Sequence, residues 1–218
     1  MNIQKYSVNQ HQISTFLAFV KDGQIAIPEV QRPFVWDNSK VRDLMDSLYK
    51  GYPIGYVITW QNPNVRLKDG KLSEGKKILI DGQQRITALR AAVLGEYVVN
   101  KEYDKIRIKI AFNPQTEVFE VQNPAIVKDK SWLPDISLVL NSNSIIQLVK
   151  EYIELNPDAD SNIVERNISN LLSIQHKQIG TIDLAHDLAI ETVTEIFIRI
   201  NSQGVVLSQA DFAMSKIA

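Results

Sequence analysis

The sequence predicts an α+β fold, and three observations lead to that prediction. Apolar residues recur at helical spacing in several segments, and Val41, Leu44, Met45 and Leu48 form one such stripe. Short apolar runs bounded by turn residues, such as residues 78–80, are typical of strands buried on both faces. The composition, with 44% hydrophobic and 22% charged residues, is ordinary for a globular protein. We therefore expect a small mixed sheet flanked by helices, followed by a mainly helical C-terminal part.

The first elements follow from local pattern and from turn residues. A helical stripe covers residues 7–21 and ends before Gly23, and a short strand at residues 25–27 stops at Pro28. The next helix begins at Asp37 or Asn38, which are suitable capping residues, and ends at Gly51. Residues 54–60 are rich in β-formers and predict a strand, and a polar connection leads from there to the strand at residues 77–80.

The later elements divide the chain in two. Apolar and basic residues alternate over residues 105–112, a turn follows at 113–116, and residues 118–121 complete a predicted hairpin in the same sheet. Residues 123–135 are irregular and mark a boundary, so we predict a core at 1–124 and a helical extension at 125–218 that packs on it. The extension contains helical patterns at residues 145–155, 163–176, 191–201 and 208–218, with a strand near residues 180–184. Because the last pattern still continues at Ala218, we expect further sequence beyond it.

Charge and cysteine content restrict the function classes. There are 24 lysines and arginines against 25 aspartates and glutamates, a formal charge of −1, so any contact with DNA has to be a local patch. With no cysteine, disulfides, thiolate metal sites and cysteine nucleophiles are excluded. The N-terminus lacks the apolar core of a signal peptide, and no run of 18 apolar residues occurs. These features predict a cytoplasmic protein without membrane contact.

The strand at residues 78–80 leads into the most informative stretch of the chain. Asp81 and Gly82 form a tight turn, after which the apolar spacing becomes helical. Gln83, Gln84 and Arg85 therefore fall in the first helical turn, where free backbone N–H groups and the positive end of the helix dipole favour anions. The residues alone predict an anion site.

Each side chain in this turn also has an ordinary explanation. Asp81 either caps the helix or holds Mg²⁺ or a water at a phosphate. Arg85 is either a solvated side chain or a phosphate contact, and a cation at a helix start is unfavourable without an anion nearby. Gln84 is either a surface residue or a group that orients a water or a base edge.

The pentad Asp81-Gly82-Gln83-Gln84-Arg85 resembles the signature of the N-terminal domain of GmrSD-type restriction endonucleases, an NTPase-like domain with a ParB/sulfiredoxin-like fold. Two further stretches agree with the pattern of that family. They are residues 27–36, Ile-Pro-Glu-Val-Gln-Arg-Pro-Phe-Val-Trp, and residues 197–204, Phe-Ile-Arg-Ile-Asn-Ser-Gln-Gly. The three blocks keep the order of the family and span nearly the whole chain.

The resemblance implies a ParB/sulfiredoxin-like domain that binds a nucleoside triphosphate with Mg²⁺. It assigns catalytic roles to Asp81, Gln84 and Arg85, with Asp81 also holding the metal. The residues that it implies for nucleotide binding are Gln31, Arg32, Gly82, Gln83, Arg199 and Asn201. Gln31 and Arg32 lie between two prolines, in what is otherwise an ordinary surface loop. Arg199 and Asn201 also suit a normal helix C-terminus.

Other motifs do not support a different chemistry. Residues 70–77 have the spacing of a P-loop, but Lys77 replaces its Ser or Thr and the segment precedes a strand. The three histidines lack metal-ligand spacing, and His186-Asp187 has no motif serine. A fold that itself cuts DNA would need a cluster of carboxylates around a metal, and we locate none in the sequence.

Two hypotheses from different classes remain open. In one, the chain is an NTPase domain that gates DNA cleavage by a nuclease domain downstream, in a restriction or anti-phage system. In the other, the same pocket belongs to a non-catalytic module that senses a nucleotide or DNA. DNA contact is expected mainly through the downstream sequence, because a net charge of −1 releases few counterions. The sequence does not decide the nucleotide, the DNA modification recognised, or whether the chain is a homo-oligomer.

Overall fold

A computed structural model describes residues 4–27, 33–61 and 76–201, and of Asn201 only the backbone. The strands of this part are β1 (Tyr6–Gln12), β2 (Ile25–Ala26), β3 (Tyr56–Gln61), β4 (Lys77–Asp81), β5 (Tyr97–Val99), β6 (Lys105–Arg107), β7 (Ile110–Asn113), β8 (Val118–Val121) and β9 (Gln178–Leu184). The helices are α1 (Ile13–Lys21), α2 (Asn38–Tyr49), α3 (Gln83–Leu89), α4 (Pro124–Lys128), α5 (Ile136–Leu140), α6 (Ile145–Leu155), α7 (Ser161–Leu172) and α8 (Ile190–Asn201). A π-helical turn (Arg90–Leu94) extends α3, and a 3-10 turn (Ser173–His176) follows α7.

One five-stranded mixed sheet organises these elements, with the strand order β1-β9-β3-β4-β2. Strand β4 pairs parallel with β2 and antiparallel with β3, while β3 pairs parallel with β9. Strand β1 is antiparallel to β9 over all seven of its residues. The predicted α+β class, with a small mixed sheet between helices, is confirmed.

Strand β4 is buried on both faces, as the apolar run predicted. Leu79 is fully buried in the larger core cluster, together with apolar residues of α1, α2 and α3. Ile78 and Ile80 lie in a second cluster on the other face, which includes Val193 and Phe197 of α8. Because both faces are covered, the end of β4 is held in a fixed position.

Two of the predicted elements differ from the structure. Residues 7–12 form strand β1 instead of the first turns of a helix, and α1 begins only at Ile13. The pairing of β1 with β9, far away in sequence, decides this conformation. The predicted hairpin is confirmed for its second half, where β7 and β8 pair across the turn. Residues 105–107 pair with β5 instead, and the β5–β6 and β7–β8 pairs form two separate sheets outside the five-stranded one, contrary to the prediction. A β-bridge between Phe112 and Leu133 holds the second of these against a later segment.

The five-stranded sheet draws on both predicted parts of the chain. Strand β9, from the part predicted to be mainly helical, lies between β1 and β3. The strand predicted near residues 180–184 is therefore confirmed, as is the helix at 145–155. The division at residue 124 stays a prediction, and the pattern at 208–218 lies outside the described residues. Among the described helices, none has the length and apolar character needed to cross a membrane.

Candidate functional site

Asp81 stands at the end of β4, directly after a β-bulge. Ile58 of β3 pairs with Asp81 and Thr59 pairs with Leu79, so Ile80 is an extra residue in β4. Bulges bend a strand and redirect its side chains, and they are common beside active sites. Asp81 is half-buried, and its electrostatic partner in the described part of the chain is Arg85.

Gly82 makes the turn from β4 into α3 possible. Its φ of 94° is left-handed, and a Cβ atom at this position would lie 2.6 Å from Cγ1 of Val57. Glycine is therefore required for both conformation and space. Gly82 is also the N-cap of α3, and no side chain caps this helix. The alternative in which Asp81 serves as a helix cap is therefore wrong.

Arg85 is held against the main chain that leads into β3. Its Nη1 donates a hydrogen bond to the carbonyl oxygen of Tyr56 at 2.8 Å. The approach is close, because a Cβ atom added at Gly55 would lie 3.1 Å from Nη2. The φ of Gly55 is 81°. Burial lowers the pKa of the Arg85 guanidinium, and the negative charge of Asp81 partly opposes that change. A guanidinium carries five donors and keeps its charge at neutral pH, so this one is fixed in place and still able to bind an anion.

Gln84 connects the start of α3 to the loop before α2. Its Oε1 accepts a hydrogen bond from the backbone N–H of Val35 at 2.9 Å, and its Nε2 donates to the carbonyl of Pro33 at 3.4 Å. The N–H of Phe34 between them donates to the carbonyl of Val99 at 2.8 Å. Gln84 thus positions a loop, and the catalytic role predicted for it stays a prediction.

The other predicted nucleotide contacts are less fully defined. Gln31 and Arg32 lie outside the described residues, immediately before Pro33. Gln83 is half-buried in the first turn of α3. In α8, the exposed Arg199 pairs with Glu195 one turn earlier at 2.5 Å, and Asn201 is the last residue of the helix. Their roles in nucleotide binding stay predictions.

Comparison with known proteins gives this site a context. The family model described as "GmrSD restriction endonuclease, N-terminal domain" matches residues 13–218. The chain belongs to this family. It is also 22% identical over 260 residues to the "Uncharacterized protein MJ0686" of Methanocaldococcus jannaschii. That alignment covers 94% of this chain and 42% of the relative, so the chain spans less than half the length of the relative.

A metal ion in this GmrSD N-terminal domain could be held by protein side chains alone or by the protein together with a nucleotide. Within residues 4–27, 33–61 and 76–201, no group of three or more His, Asp or Glu side chains could hold a metal ion. Mg²⁺ at a nucleotide, however, is usually bound through one or two carboxylates together with phosphates and waters. Asp81 fits that second mode, as a single carboxylate beside a helix N-terminus.

The sequence did not predict a polar network at the opposite end of β4. Asp183 of β9 accepts hydrogen bonds from the Thr59 hydroxyl, from Nδ2 of Asn9 at 2.7 Å and from Nζ of Lys77 at 2.9 Å. Burial raises the pKa of Asp183, but the hydrogen bonds and the charge of Lys77 outweigh it and lower that pKa overall. The one indication of this network in the sequence is Asp183, an aspartate within a predicted strand. Its partners come from three other strands, and local pattern does not reveal them.

Proposed function

We propose that this GmrSD N-terminal domain binds a nucleoside triphosphate with Mg²⁺ at the start of α3 and hydrolyses it. Hydrolysis would gate DNA cleavage by a nuclease domain outside this chain. The observation that supports the proposal best is the position of Asp81 and Arg85 on either side of the glycine turn, where α3 begins. Phosphoryl transfer depends on positioning and on electrostatic stabilisation, and an acid and a fixed guanidinium at a helix N-terminus are suited to both.

In this proposal the phosphates lie at the N-terminus of α3. The free backbone N–H groups of the first turn, including those of Gln83 and Gln84, would donate to phosphate oxygens. Arg85 would stabilise the negative charge, because its donors beyond the one bound to Tyr56 remain for the ligand. Asp81 would bind Mg²⁺ or orient the attacking water, and the metal would neutralise charge on the transferred phosphate.

The loop before α2 completes the proposed pocket. Gln84 holds the main chain at Pro33, the residue that follows Arg32 in the sequence. Gln31 and Arg32 are therefore proposed as nucleotide contacts together with Gly82 and Gln83. Arg199 and Asn201 enter the proposal on the family resemblance alone.

A non-catalytic sensor is the second candidate, and one observation favours it. Both ends of the Gln84 amide are engaged by the main chain of Pro33 and Val35. An amide held in this way is oriented by the loop, which favours a positioning role over one that orients a water. If Gln84 only positions the loop, the pocket could bind a nucleotide without hydrolysing it.

Turnover and binding of nucleotide distinguish the two candidates. Each of the four common nucleoside triphosphates is added with Mg²⁺, and phosphate release and heats of binding are measured for wild type and Asp81→Asn. The NTPase proposal expects wild-type release that falls by about a hundredfold or more in the variant, as expected when a charge-positioning group is lost. Asp158→Asn, an exposed aspartate in the loop after α6, is the matched control.

The outcomes separate cleanly. Binding without turnover in wild type supports the sensor. Absence of both binding and turnover by folded wild type overturns the nucleotide site. Equal turnover in wild type and Asp81→Asn removes Asp81 from the mechanism.

A further inference from the structure

A polar cavity of about 340 Å³ lies at the end of β4 opposite to Asp81. Its lining includes Tyr6, Ser7, Gln61, Lys77, Asp183 and His186. The parallel strands β3 and β9 end here, at Gln61 and Leu184. Ligands of open sheets commonly bind outside the carboxyl ends of parallel strands, so this is a favourable place for a second site.

The acid in this cavity already accepts three hydrogen bonds. Oδ1 of Asp183 accepts from Thr59, and Oδ2 accepts from both Asn9 and Lys77. The Asp183 side chain is only 15% exposed, whereas that of Lys77 is 35% exposed. An ammonium has three donors, and the ion pair with Asp183 uses one of them. The Lys77 ammonium therefore has donors beyond this ion pair for a ligand.

Two further lysines are sequence neighbours of residues in this lining. Lys76 precedes Lys77 and is exposed, and so is Lys5, whose carbonyl accepts a hydrogen bond from the N–H of Ala185 at 2.9 Å. Among the described residues of these segments, the acids are Asp183, which already accepts three hydrogen bonds, and the exposed Asp187. In a chain with a net charge of −1, three lysines against two acids give these segments a small excess of positive charge.

We propose that this cavity binds a phosphate of the DNA backbone, with Lys77 as the direct contact and Lys5 and Lys76 as flanking charges. The inference rests on the DNA-directed part of the proposed function. A backbone phosphate suits the open edge, because it positions the duplex without reading its sequence. The four-residue rise along β4 puts this cavity roughly 13 Å from Asp81, so DNA and nucleotide would occupy opposite ends of one strand.

The test is the salt dependence of DNA binding. Fluorescence anisotropy follows a labelled duplex bound by the 218-residue chain at salt concentrations from about 50 to 200 mM. The main variant combines Lys77→Gln with Asp183→Asn, since Lys77→Gln alone would leave a buried carboxylate without its cation. Lys76→Gln is a second variant that leaves the buried network intact. Lys150→Gln, an exposed lysine of α6 paired with Glu154, is the matched control.

The expected result is weak wild-type binding that the variants reduce. The double variant should bind roughly three- to tenfold more weakly, with a slope of log K against log salt that is smaller by about 1. Lys76→Gln should change both quantities in the same direction, and Lys150→Gln should change neither. If the double variant does not fold, as judged by its thermal melt, Lys76→Gln and Lys5→Gln decide the result.

Other outcomes contradict the inference without touching the nucleotide site. A wild-type chain that binds no duplex at the lowest salt overturns it, as does an unchanged slope in folded variants. Weaker binding of nucleotide by the double variant, with unchanged DNA binding, would assign the cavity to a free nucleotide and overturn the DNA proposal. Conversely, DNA binding that depends on Lys77, with no nucleotide binding at all, would reject only the proposed nucleotide site.

Discussion

The two ends of β4 carry the same chemical groups, a carboxylate and a cation, in opposite arrangements. At the Lys77 end, Asp183 is enclosed by three donors from three strands, and its pKa is lowered. At the Asp81 end, the cation is Arg85, which donates to a main-chain carbonyl instead of to the acid, and whose pKa burial lowers. The arrangement around Asp183 is a hydrogen-bonded ion pair. In the arrangement around Asp81, the guanidinium of Arg85 is hydrogen-bonded to the backbone and not to the carboxylate.

This difference indicates at which end of the strand a bound ligand would supply a missing charge interaction. A charged pair that is already hydrogen-bonded contributes to structure, and only its surplus donors are available to a ligand. A partly buried charge without a hydrogen-bonded counter-charge is costly, and a bound ligand that supplies one lowers that cost. The comparison therefore predicts different consequences for substitutions at the two ends of the strand.

The largest expected effect concerns the glycine turn at the Asp81 end. Gly82→Ala should lower the free energy of unfolding by at least about 2 kcal/mol, since a left-handed φ costs about 1–2 kcal/mol and overpacking a further 1–3 kcal/mol. Gly23→Ala is the control, because its φ is also positive at 71° but no atom lies within 4 Å of the added Cβ. Urea unfolding of both variants measures the difference. Equal losses would show that Val57 yields and that the turn is not crowded.

A second prediction tests whether Arg85 acts through its charge or its position. Arg85→Ala should weaken binding of a nucleoside triphosphate about ten- to a hundredfold, the value of a charge-assisted contact of roughly 1.5–3 kcal/mol. Gly55→Ala should keep the charge but displace the guanidinium, because the new Cβ would lie 3.1 Å from Nη2. We expect it to weaken binding by a smaller factor, and calorimetric titration measures both. Wild-type affinity in folded Arg85→Ala would place the phosphates elsewhere.

The third prediction concerns the closed network at the other end. The pKa of Asp183 is lowered in the folded state, so its ionised form stabilises the protein above the unfolded pKa, and that contribution is lost as the pH falls through the folded pKa. Asp183→Asn should therefore be less stable than wild type at neutral pH, and the difference should shrink below about pH 4. Urea unfolding at several pH values checks this. A difference that is independent of pH would show that the carboxylate charge is not what stabilises the network.

Much of the fold could be predicted from the sequence, because much of it is local. The inner face of α2 and its cap follow from spacing and from Asp37, whose Oδ1 accepts a hydrogen bond from the N–H of Lys40 at 2.8 Å. Strand β4 follows from an apolar run before a glycine turn. Strand β1 does not, because its conformation depends on pairing with β9, about 170 positions later.

The candidate site also has features that local sequence predicts and features that depend on strand pairing. The turn at Gly82 and the position of Arg85 in the first helical turn follow from neighbouring residues. The bulge at Ile80 and the contact between Arg85 and Tyr56 depend on how β3 and β4 pair, which no local pattern contains. The network around Asp183 likewise needs the order of the strands.

The smallest expected effect comes from Gln84, and it distinguishes a positioning role from a catalytic one. Gln84→Ala removes the hydrogen bonds to Val35 and Pro33, of which the shorter is 2.9 Å, and should cost about 1–2 kcal/mol of stability. If the residue only holds the loop, nucleotide affinity should fall a few-fold while the maximal turnover rate stays near that of wild type. Thr87→Ala, at a half-buried position of the same helix outside the proposed pocket, is the control for helix propensity. Steady-state kinetics separate the two roles, because loss of ground-state positioning appears mainly in KM and loss of a water-orienting group appears in kcat. A fall in kcat of a hundredfold or more, with unchanged KM, would show that the amide leaves the loop and acts on the water, and it would restore Gln84 to the catalytic set.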